Sequence, residues 1–347
     1  MSKETALLET LVKEAYKKIT ALEAQLESAQ QHPATQPEPI AVIGMGCRFP
    51  GADSPDAYWH LLLEGRCAIR DLLPTRWDPE RYASMEAATT SRTAWSRGGF
   101  LDQIDQFDPL FFRISPLEAM TMDPQQRLLL EVTWEALEHA ALAPDGLEGS
   151  KTGVFIGMTG GQNLADLELI RSEKAMYAGT GQTPSIAAGR ISYILGLQGP
   201  CLAVDTACSS SMMAVHVAVG SLRTGESDLA LAGGVNILTP EANVLMANAG
   251  WLAADGHCKT FDVAADGHTR SEGCGMFVLK RLADAQRDGD KIWAVIRGSA
   301  CNHDGRTSGL TVPNGPMQQA LIRQALQNAG VRTAEISYSE AHATGTS

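Results

Sequence analysis

The segment GPCLAVDTACSSSMMAVHVAVGSL, residues 199–222, sets a strand, a tight turn and a helix side by side. The apolar run CLAV predicts a strand, DTA a tight turn, and SSSMMAVHVAVGSL an apolar helix. Cys208 lies where the turn meets the helix, so its sulfur is expected near the first backbone N–H groups of that helix. Those groups carry partial positive charge, which favours a thiolate over a thiol. The segment therefore predicts a reactive cysteine in a fold that alternates strands with helices.

Strands and helices are expected to alternate along the rest of the globular part. Asp123 and Pro124 open one helical pattern as an N-cap and a first helical residue do. Two segments, 201–211 and 336–347, each place candidate catalytic residues in a turn after a strand. Their likeness suggests that the globular part has two similar halves. The pattern predicts an α/β layered fold with a mainly parallel sheet. The strands are expected at 40–44, 152–157, 201–205, 229–236, 276–282, 292–300 and 336–340, and the helices at 55–65, 123–141, 184–195, 209–222 and 316–329.

A glycine-rich turn is expected after the first strand and raises the question of a dinucleotide site. Gly44 and Gly46 are followed by Phe49, Pro50 and Gly51, where a phosphate-binding helix would have to begin. The spacing therefore argues against nucleotide binding.

Composition and charge exclude several classes of function. The formal charge is −12 and no basic stripe occurs, which argues against a nucleic-acid partner. No apolar run reaches the roughly 18 residues that span a bilayer, and the charge-mixed first thirty residues do not resemble a signal peptide. The seven cysteines include no CxxC pair, and the adjacent His257 and Cys258 lack a second ligand pair, so no metal site and no disulfide framework is expected. This cysteine usage favours a reduced, cytoplasmic protein.

Among the cysteines, Cys208 is the one whose turn would activate the sulfur. The alternative for any cysteine is a buried side chain packed as a small apolar group. His216, on an apolar stretch of the same helix, is expected to be a core histidine whose ring has polar partners. The buried alternative is expected for Cys47, Cys67, Cys201, Cys274 and Cys301.

Residues 1–30 carry an apolar seam with heptad spacing. Its members recur at alternating intervals of four and three, with the β-branched Val12 and Ile19 at a positions and leucines at d positions. This choice favours a parallel two-stranded coiled coil. A lone amphipathic helix packed on its own domain is the alternative. Residues 31–39 contain three prolines and are expected to form an extended linker between the helix and the body.

The motif DTACSSS, at 205–211, resembles the active-site motif of β-ketoacyl synthases, above all the ketosynthase domains of modular polyketide synthases. The likeness extends across residues 38–347, with many specific motifs in the order that the family has. These motifs include IAVIGMGCRFPG, RWDPERY, MDPQQRLLLE, AAGRISY, DLALAGGVN, DGHCKTFD, RSEGCGMFVLKRL, GLTVPNGP and EAHATGT.

The resemblance implies a thiolase-like fold, in which two duplicated α/β halves form a five-layered core, and a homodimer. Residues 40–347 would be the ketosynthase domain, with its N-terminal half and the start of its C-terminal half. The leading helix, 1–30, is similar to docking segments that match consecutive synthase subunits, so an upstream subunit is an expected partner. The other expected partners are an acyltransferase domain and an acyl carrier protein with its 4'-phosphopantetheine arm. No cofactor is expected to bind to the chain directly.

The resemblance also implies roles for particular residues. Cys208 would accept an acyl group from the carrier protein and couple it to a malonyl-type extender by decarboxylative Claisen condensation. His342, in EAHATGT, matches a histidine that donates a hydrogen bond to the carbonyl that becomes the enolate oxygen. Thr344 and Thr346 match threonines that contact the phosphopantetheine arm. Glu272, in RSEG, matches a supporting carboxylate behind the site.

The sequence departs from the family pattern in two respects. Ala343 stands where the family often has glycine, a small change that is expected to leave the site open. The family's second histidine and a glycine-rich segment that lines the oxyanion hole would come beyond Ser347, so the 347-residue chain is expected to lack part of the catalytic set. The alternative function is therefore a truncated, non-catalytic docking and dimerisation piece of a polyketide synthase.

Overall fold

A computed structural model describes residues 13–14, 16–19, 37–85, 91–160 and 175–346 of the chain. Of the predicted N-terminal helix, the described positions 13–14 and 16–19 are helical. The predicted coiled-coil pairing and most of the linker at 31–39 lie outside the described residues.

A six-stranded mixed sheet forms the centre of the described chain, in the order β5-β4-β6-β7-β1-β8. The strand β4 is parallel to β5 and to β6, whereas β7 is antiparallel to β6 and β1, and β8 is antiparallel to β1. The prediction of a mainly parallel sheet is therefore wrong at β7 and β8, which run against the other four strands. Two short strands, β2 and β3, pair separately. The strands are β1 (Ile40–Arg48), β2 (Arg70–Asp71), β3 (Arg97–Gly98), β4 (Thr152–Gly157), β5 (Cys201–Val204), β6 (Leu229–Asn236), β7 (Gly273–Arg281) and β8 (Ala294–Ile296).

Eleven α-helices lie between residues 37 and 346 of the described chain, and the predicted ones among them begin and end within a few residues of their expected bounds. The Asp123 carboxylate accepts a hydrogen bond from Gln125 N at 2.8 Å, which confirms the predicted N-cap. None of the described helices has the length and apolarity that a membrane crossing requires. The helices are α1 (Pro55–Leu63), α2 (Pro79–Tyr82), α3 (Arg92–Ser96), α4 (Pro116–Ala119), α5 (Pro124–His139), α6 (Ala175–Gln182), α7 (Pro184–Leu195), α8 (Ser210–Thr224), α9 (Pro240–Asn248), α10 (Leu282–Asp288) and α11 (Gly315–Ala329).

Helices cover both faces of the sheet. Successive side chains of a strand point to opposite faces, so Val154 and Ile156 of β4 belong to the core beneath α5 and α7. Phe155, between them, belongs to the core beneath α8. The described residues thus form a helix–sheet–helix sandwich of three layers.

The glycines near the start of the body lie inside β1, not in a turn after it. A Cβ at Gly44 would lie 2.5 Å from Ala136 O, and one at Gly46 would lie 2.6 Å from Val132 O, both on α5. The glycines therefore allow α5 to approach the strand closely. The predicted end of the strand at residue 44 is wrong. The glycines are needed for the close contact with α5 and do not mark a turn, so the strand continues to Arg48.

The strand predicted at 336–340 is absent from the described structure. Residues 336–346 form no helix or strand, and no described strand pairs with residues 336–340. A strand needs a hydrogen-bonded neighbour, so the apolar alternation of ISYSE does not by itself show that residues 336–340 form one. The helix before it, α11, has no buried residue.

Candidate active site

Cys208 lies in a single 3₁₀ turn that joins β5 to α8. Ala207 reverses the chain there with a left-handed backbone, φ 54°. The Ser210 hydroxyl closes the turn, because it accepts a hydrogen bond from Thr206 N at 2.9 Å and donates one to Ala207 O at 2.7 Å. Asp205 Oδ1 accepts a further bond from Ala207 N at 3.0 Å. The turn is thus held by its own polar groups, and Cys208 is exposed.

Two glycines set the position of this turn against the sheet. A Cβ at Gly157, the last residue of β4, would lie 2.4 Å from Ser210 C and Ser211 N. A Cβ at Gly234, in β6, would lie 2.8 Å from Ser211 Cβ. The backbone at the start of α8 therefore rests directly on the backbone of the two strands, and no side chain fits between them.

Glu272 lies in the interior close to this edge of the sheet, and its side chain is fully buried. Both carboxylate oxygens pair with the Arg76 guanidinium, with Arg76 Nη1 donating to Oε2 at 2.8 Å. Leu101 N and Leu238 N donate to the same carboxylate, at 2.9 and 3.1 Å. These bonds join three separate parts of the chain, so the environment suits a structural carboxylate more than a proton carrier.

The segment 342–346 is fastened to a loop that precedes β7. Gly267 N donates to Gly345 O at 3.0 Å, and the Thr260 hydroxyl donates to Ala343 O at 2.7 Å. Because both acceptors are backbone carbonyls, the position of the segment does not depend on its side chains.

Three polar side chains of this segment remain available to a ligand. His342 and Thr346 are exposed, and the Thr344 and Thr346 hydroxyls lie 3.3 Å apart. Ala343 has φ 35°, within the left-handed region that favours glycine. This backbone conformation gives a physical reason why glycine would suit the position.

Residues 267–272 adjoin the segment at 342–346, because Gly267 N donates to Gly345 O. Burial lowers the pKa of the half-buried Arg270, and the nearby Cys208 and Glu272 oppose that shift. Burial, Arg270 and His342 all lower the pKa of His268.

Five cysteines are exposed and two are buried. The buried packing predicted for Cys47 and Cys274 is confirmed, and burial raises the pKa of the Cys47 thiol to about 11. The same prediction is wrong for Cys67, Cys201 and Cys301, which lie after α1, at the start of the edge strand β5, and after β8.

His216 has polar partners, as predicted, but it is only half-buried. Its Nδ1 lies 2.8 Å from Ser299 Oγ, and its Nε2 lies 3.6 Å from Cys301 Sγ. The ring thus joins α8 to the segment that follows β8, away from the turn at Cys208.

Comparison with protein families assigns nearly the whole chain. The profile of the β-ketoacyl synthase N-terminal domain matches residues 37–285, and that of the C-terminal domain matches residues 293–347. The chain belongs to the β-ketoacyl synthase family. It is a ketosynthase region of the modular type I polyketide synthase kind, as its motifs predicted.

Two curated relatives of this ketosynthase come from Mycobacterium tuberculosis. One subunit of the phenolphthiocerol/phthiocerol polyketide synthase is 49% identical over 342 residues, which are 97% of this chain and 16% of the relative. Mycoketide-CoA synthase is 49% identical over 316 residues, 90% of this chain and 8% of the relative. The chain therefore spans less than a fifth of the length of either relative.

Solved ketosynthase structures share its fold. The ketosynthase from module 6 of the Bacillus subtilis bacillaene synthase superposes with a TM-score of 0.80 at 41% identity and covers 89% of this chain and 52% of its own. An oxazolomycin ketosynthase domain from Streptomyces albus superposes with a TM-score of 0.83 at 38% identity. The match covers 89% of this chain and 54% of that domain's chain. The predicted thiolase-like fold is confirmed by these neighbours.

Sequence reasoning missed Arg270 and His268 as neighbours of the ketosynthase site. A signal was present, because His268, Arg270 and Glu272 alternate, and alternate residues of an extended segment share one face. Because the RSEG motif already points to Glu272, the same alternation would have indicated Arg270 and His268.

Proposed function

We propose that this ketosynthase extends a polyketide chain by decarboxylative Claisen condensation, with Cys208 as the acyl-accepting nucleophile. The observation that carries the proposal is the exposed Cys208 in a rigid turn at the start of α8. The partial positive charge of the helix start favours a negatively charged sulfur, and the small side chains around it leave room for a thioester.

In the first step, the Cys208 sulfur attacks the carbonyl carbon of an acyl thioester on an acyl carrier protein. A carbon–sulfur bond forms at Cys208, and the carrier's thiolate leaves with the electron pair of the bond that breaks. Backbone N–H groups at the start of α8 are suited to stabilise the oxyanion of the tetrahedral intermediate.

In the second step, a malonyl thioester loses carbon dioxide and leaves an enolate. The enolate carbon attacks the acyl carbon on Cys208, so a carbon–carbon bond forms and the cysteine thiolate is released. His342 is proposed to donate a hydrogen bond to the enolate oxygen, a role that its exposed ring allows.

Thr344 and Thr346 are proposed to contact the phosphopantetheine arm that carries both substrates. Their neighbouring hydroxyls can donate to, and accept from, the amides of that arm. Glu272 is proposed to support the site from behind, since its bonds to Arg76, Leu101 and Leu238 join the surrounding loops.

The proposal extends to partners and setting. The substrates imply an acyl carrier protein and an acyltransferase domain that loads the extender. Residues 1–30 are proposed to dock an upstream synthase subunit, on the strength of their heptad seam, and the protein is proposed to act as a homodimer. Seven unpaired cysteines suit a reduced, cytoplasmic setting.

Acyl loading tests the assignment of the nucleophile directly. The chain is incubated with an acyl thioester, and the acylated peptide is identified by mass spectrometry. We expect the acyl group on Cys208, no loading of Cys208→Ser, and normal loading of Cys301→Ser, a matched control at another exposed cysteine. Acylation of other cysteines in preference to Cys208 would contradict the proposed function. A chain that forms dimers and takes up no acyl group would favour the docking alternative.

A further inference from the structure

The motif DGHCKTFD, residues 255–262, forms a loop that one lysine ties together. Lys259 Nζ lies 2.8 Å from Asp255 Oδ1 and 2.7 Å from Asp266 Oδ1. Arg97, in β3, donates from Nη1 to Asp255 O at 3.3 Å. The two sides of the loop are thus joined to one side chain and to a neighbouring strand.

Three donors of this loop hold three successive peptide groups of the segment 342–346. The donors and their backbone carbonyl acceptors are Thr260 Oγ1 to Ala343 at 2.7 Å, Cys258 Sγ to Thr344 at 3.2 Å, and Gly267 N to Gly345 at 3.0 Å. Two of the three donors are side chains, so the position of the segment depends on which residues the loop carries.

The segment also packs closely on the loop at Gly345. Its φ is 67°, and a Cβ there would lie 3.2 Å from Cys258 Sγ and 3.2 Å from Gly267 O. Within the described chain, every hydrogen bond that joins residues 342–346 to another part of the protein goes to this loop. The loop therefore determines where the segment lies.

We propose that Thr260 is a positioning residue for recognition of the phosphopantetheine arm. Its hydroxyl fixes the peptide group that joins Ala343 to Thr344, and the Thr344 and Thr346 hydroxyls lie 3.3 Å apart just beyond it. The inference rests on the proposed contact of these two threonines with the arm. Amides of the arm need donors and acceptors at set positions, and groups that are already in place bind them more tightly.

Thr260 itself acts through the segment and not on the arm. A threonine hydroxyl has one proton to donate, and Thr260 uses it on Ala343 O. Loss of that bond would free the peptide group next to Thr344 while leaving both hydroxyls of the arm site present.

The test compares two acyl donors in the acylation of Cys208, measured by mass spectrometry on the full chain. One donor is an acyl pantetheine thioester, which carries the amides of the arm, and the other is an acyl ethanethiol thioester, which has none. Thr260→Val removes the hydroxyl and keeps the shape of the side chain. We expect the concentration of the pantetheine thioester at half-maximal rate to rise about five- to tenfold, with the limiting rate unchanged. The rate with the ethanethiol thioester should equal that of the parent.

Two further variants make the comparison specific. Thr260→Ser retains the donor and should restore the behaviour of the parent. Thr224→Val is the matched control, because the Thr224 hydroxyl also donates to a backbone carbonyl, that of Gly220 at 3.1 Å, but at the last residue of α8. Cys208 lies before the other end of this helix, roughly 20 Å away, so both acyl donors should react as with the parent.

Each result bears on the inference separately from the proposed function. A folded Thr260→Val with the parent's dependence on the pantetheine thioester overturns the inference, and so does equal slowing with both donors, because that would indicate general damage. If Thr260→Val does not fold, Gly345→Ala displaces the segment from its own side, and an unchanged dependence there overturns the inference. A parent without preference for the pantetheine thioester contradicts the proposed roles of Thr344 and Thr346, and the inference with them. A parent that is not acylated at Cys208 contradicts the proposed nucleophile.

Discussion

Substitution of Gly157 by alanine tests whether the position of the reactive turn depends on direct backbone contact. The new Cβ would lie 2.4 Å from Ser210 C and Ser211 N, whereas non-bonded carbon atoms prefer about 3.5–4.0 Å. The start of α8 must therefore move by about 1 Å. Overpacking of this kind costs about 1–3 kcal/mol of unfolding free energy. A large domain loses about 2–4 °C of Tm per kcal/mol, so we expect a decrease of roughly 2–12 °C.

The displacement should affect Cys208 more than it affects stability. A shift of about 1 Å in a reacting group can reduce the rate about 10²-fold. The assays are thermal unfolding and the rate at which Cys208 is acylated by an acyl thioester.

Gly220→Ala is the matched control for this substitution. Gly220 lies in the same helix, and a Cβ there would meet nothing within 4 Å. Alanine in a helix interior is more favourable than glycine by about 0.5–1 kcal/mol, so this variant should be slightly more stable and fully active. Gly157→Ala with the Tm and acylation rate of the parent would refute the argument, as would equal damage by Gly220→Ala.

Two further predictions concern pH and association. In the unfolded state, His268 binds a proton as the pH falls below the ordinary histidine value of 6.5. In the folded state its pKa is lowered, so it binds that proton only at a lower pH. Acidification through this window should therefore destabilise the chain, and thermal melts near pH 7.5 and pH 5.5 should show a smaller decrease for His268→Gln; an equal decrease would contradict this origin. A peptide of residues 1–30 should sediment as a dimer, and Ile19→Asp should make it monomeric, because it buries an unpaired charge in the seam. A monomeric parent peptide would count against the docking proposal.

The elements around the site could be predicted from sequence where their signals are local. The strand Thr152–Gly157 and the helix Pro184–Leu195 have the bounds that their apolar patterns indicate, and Asp123 caps α5 as expected. Such signals lie within a few residues of each other and depend on backbone geometry, so no distant contact is needed to read them. The strand–turn–helix at Cys208 could be recognised for the same reason.

Other properties depend on contacts between distant parts of the chain. Residues 336–340 have a strand-like pattern but no partner strand in the described structure, and the glycines of β1 are explained by α5 lying against them. Which cysteines are exposed likewise depends on what covers them, as Cys67, Cys201 and Cys301 show.

The sequence alone determined the family, the strand–turn–helix at Cys208 and the candidate residues Cys208 and His342, because short motifs carry them. Only the tertiary structure brought Gly157 and Gly234, which are distant from Cys208 along the chain, against the start of its helix. The physical reason is that the register of β4 with β6 places Gly157 beside Gly234, and the start of α8 contacts both. No local pattern in the sequence specifies that register.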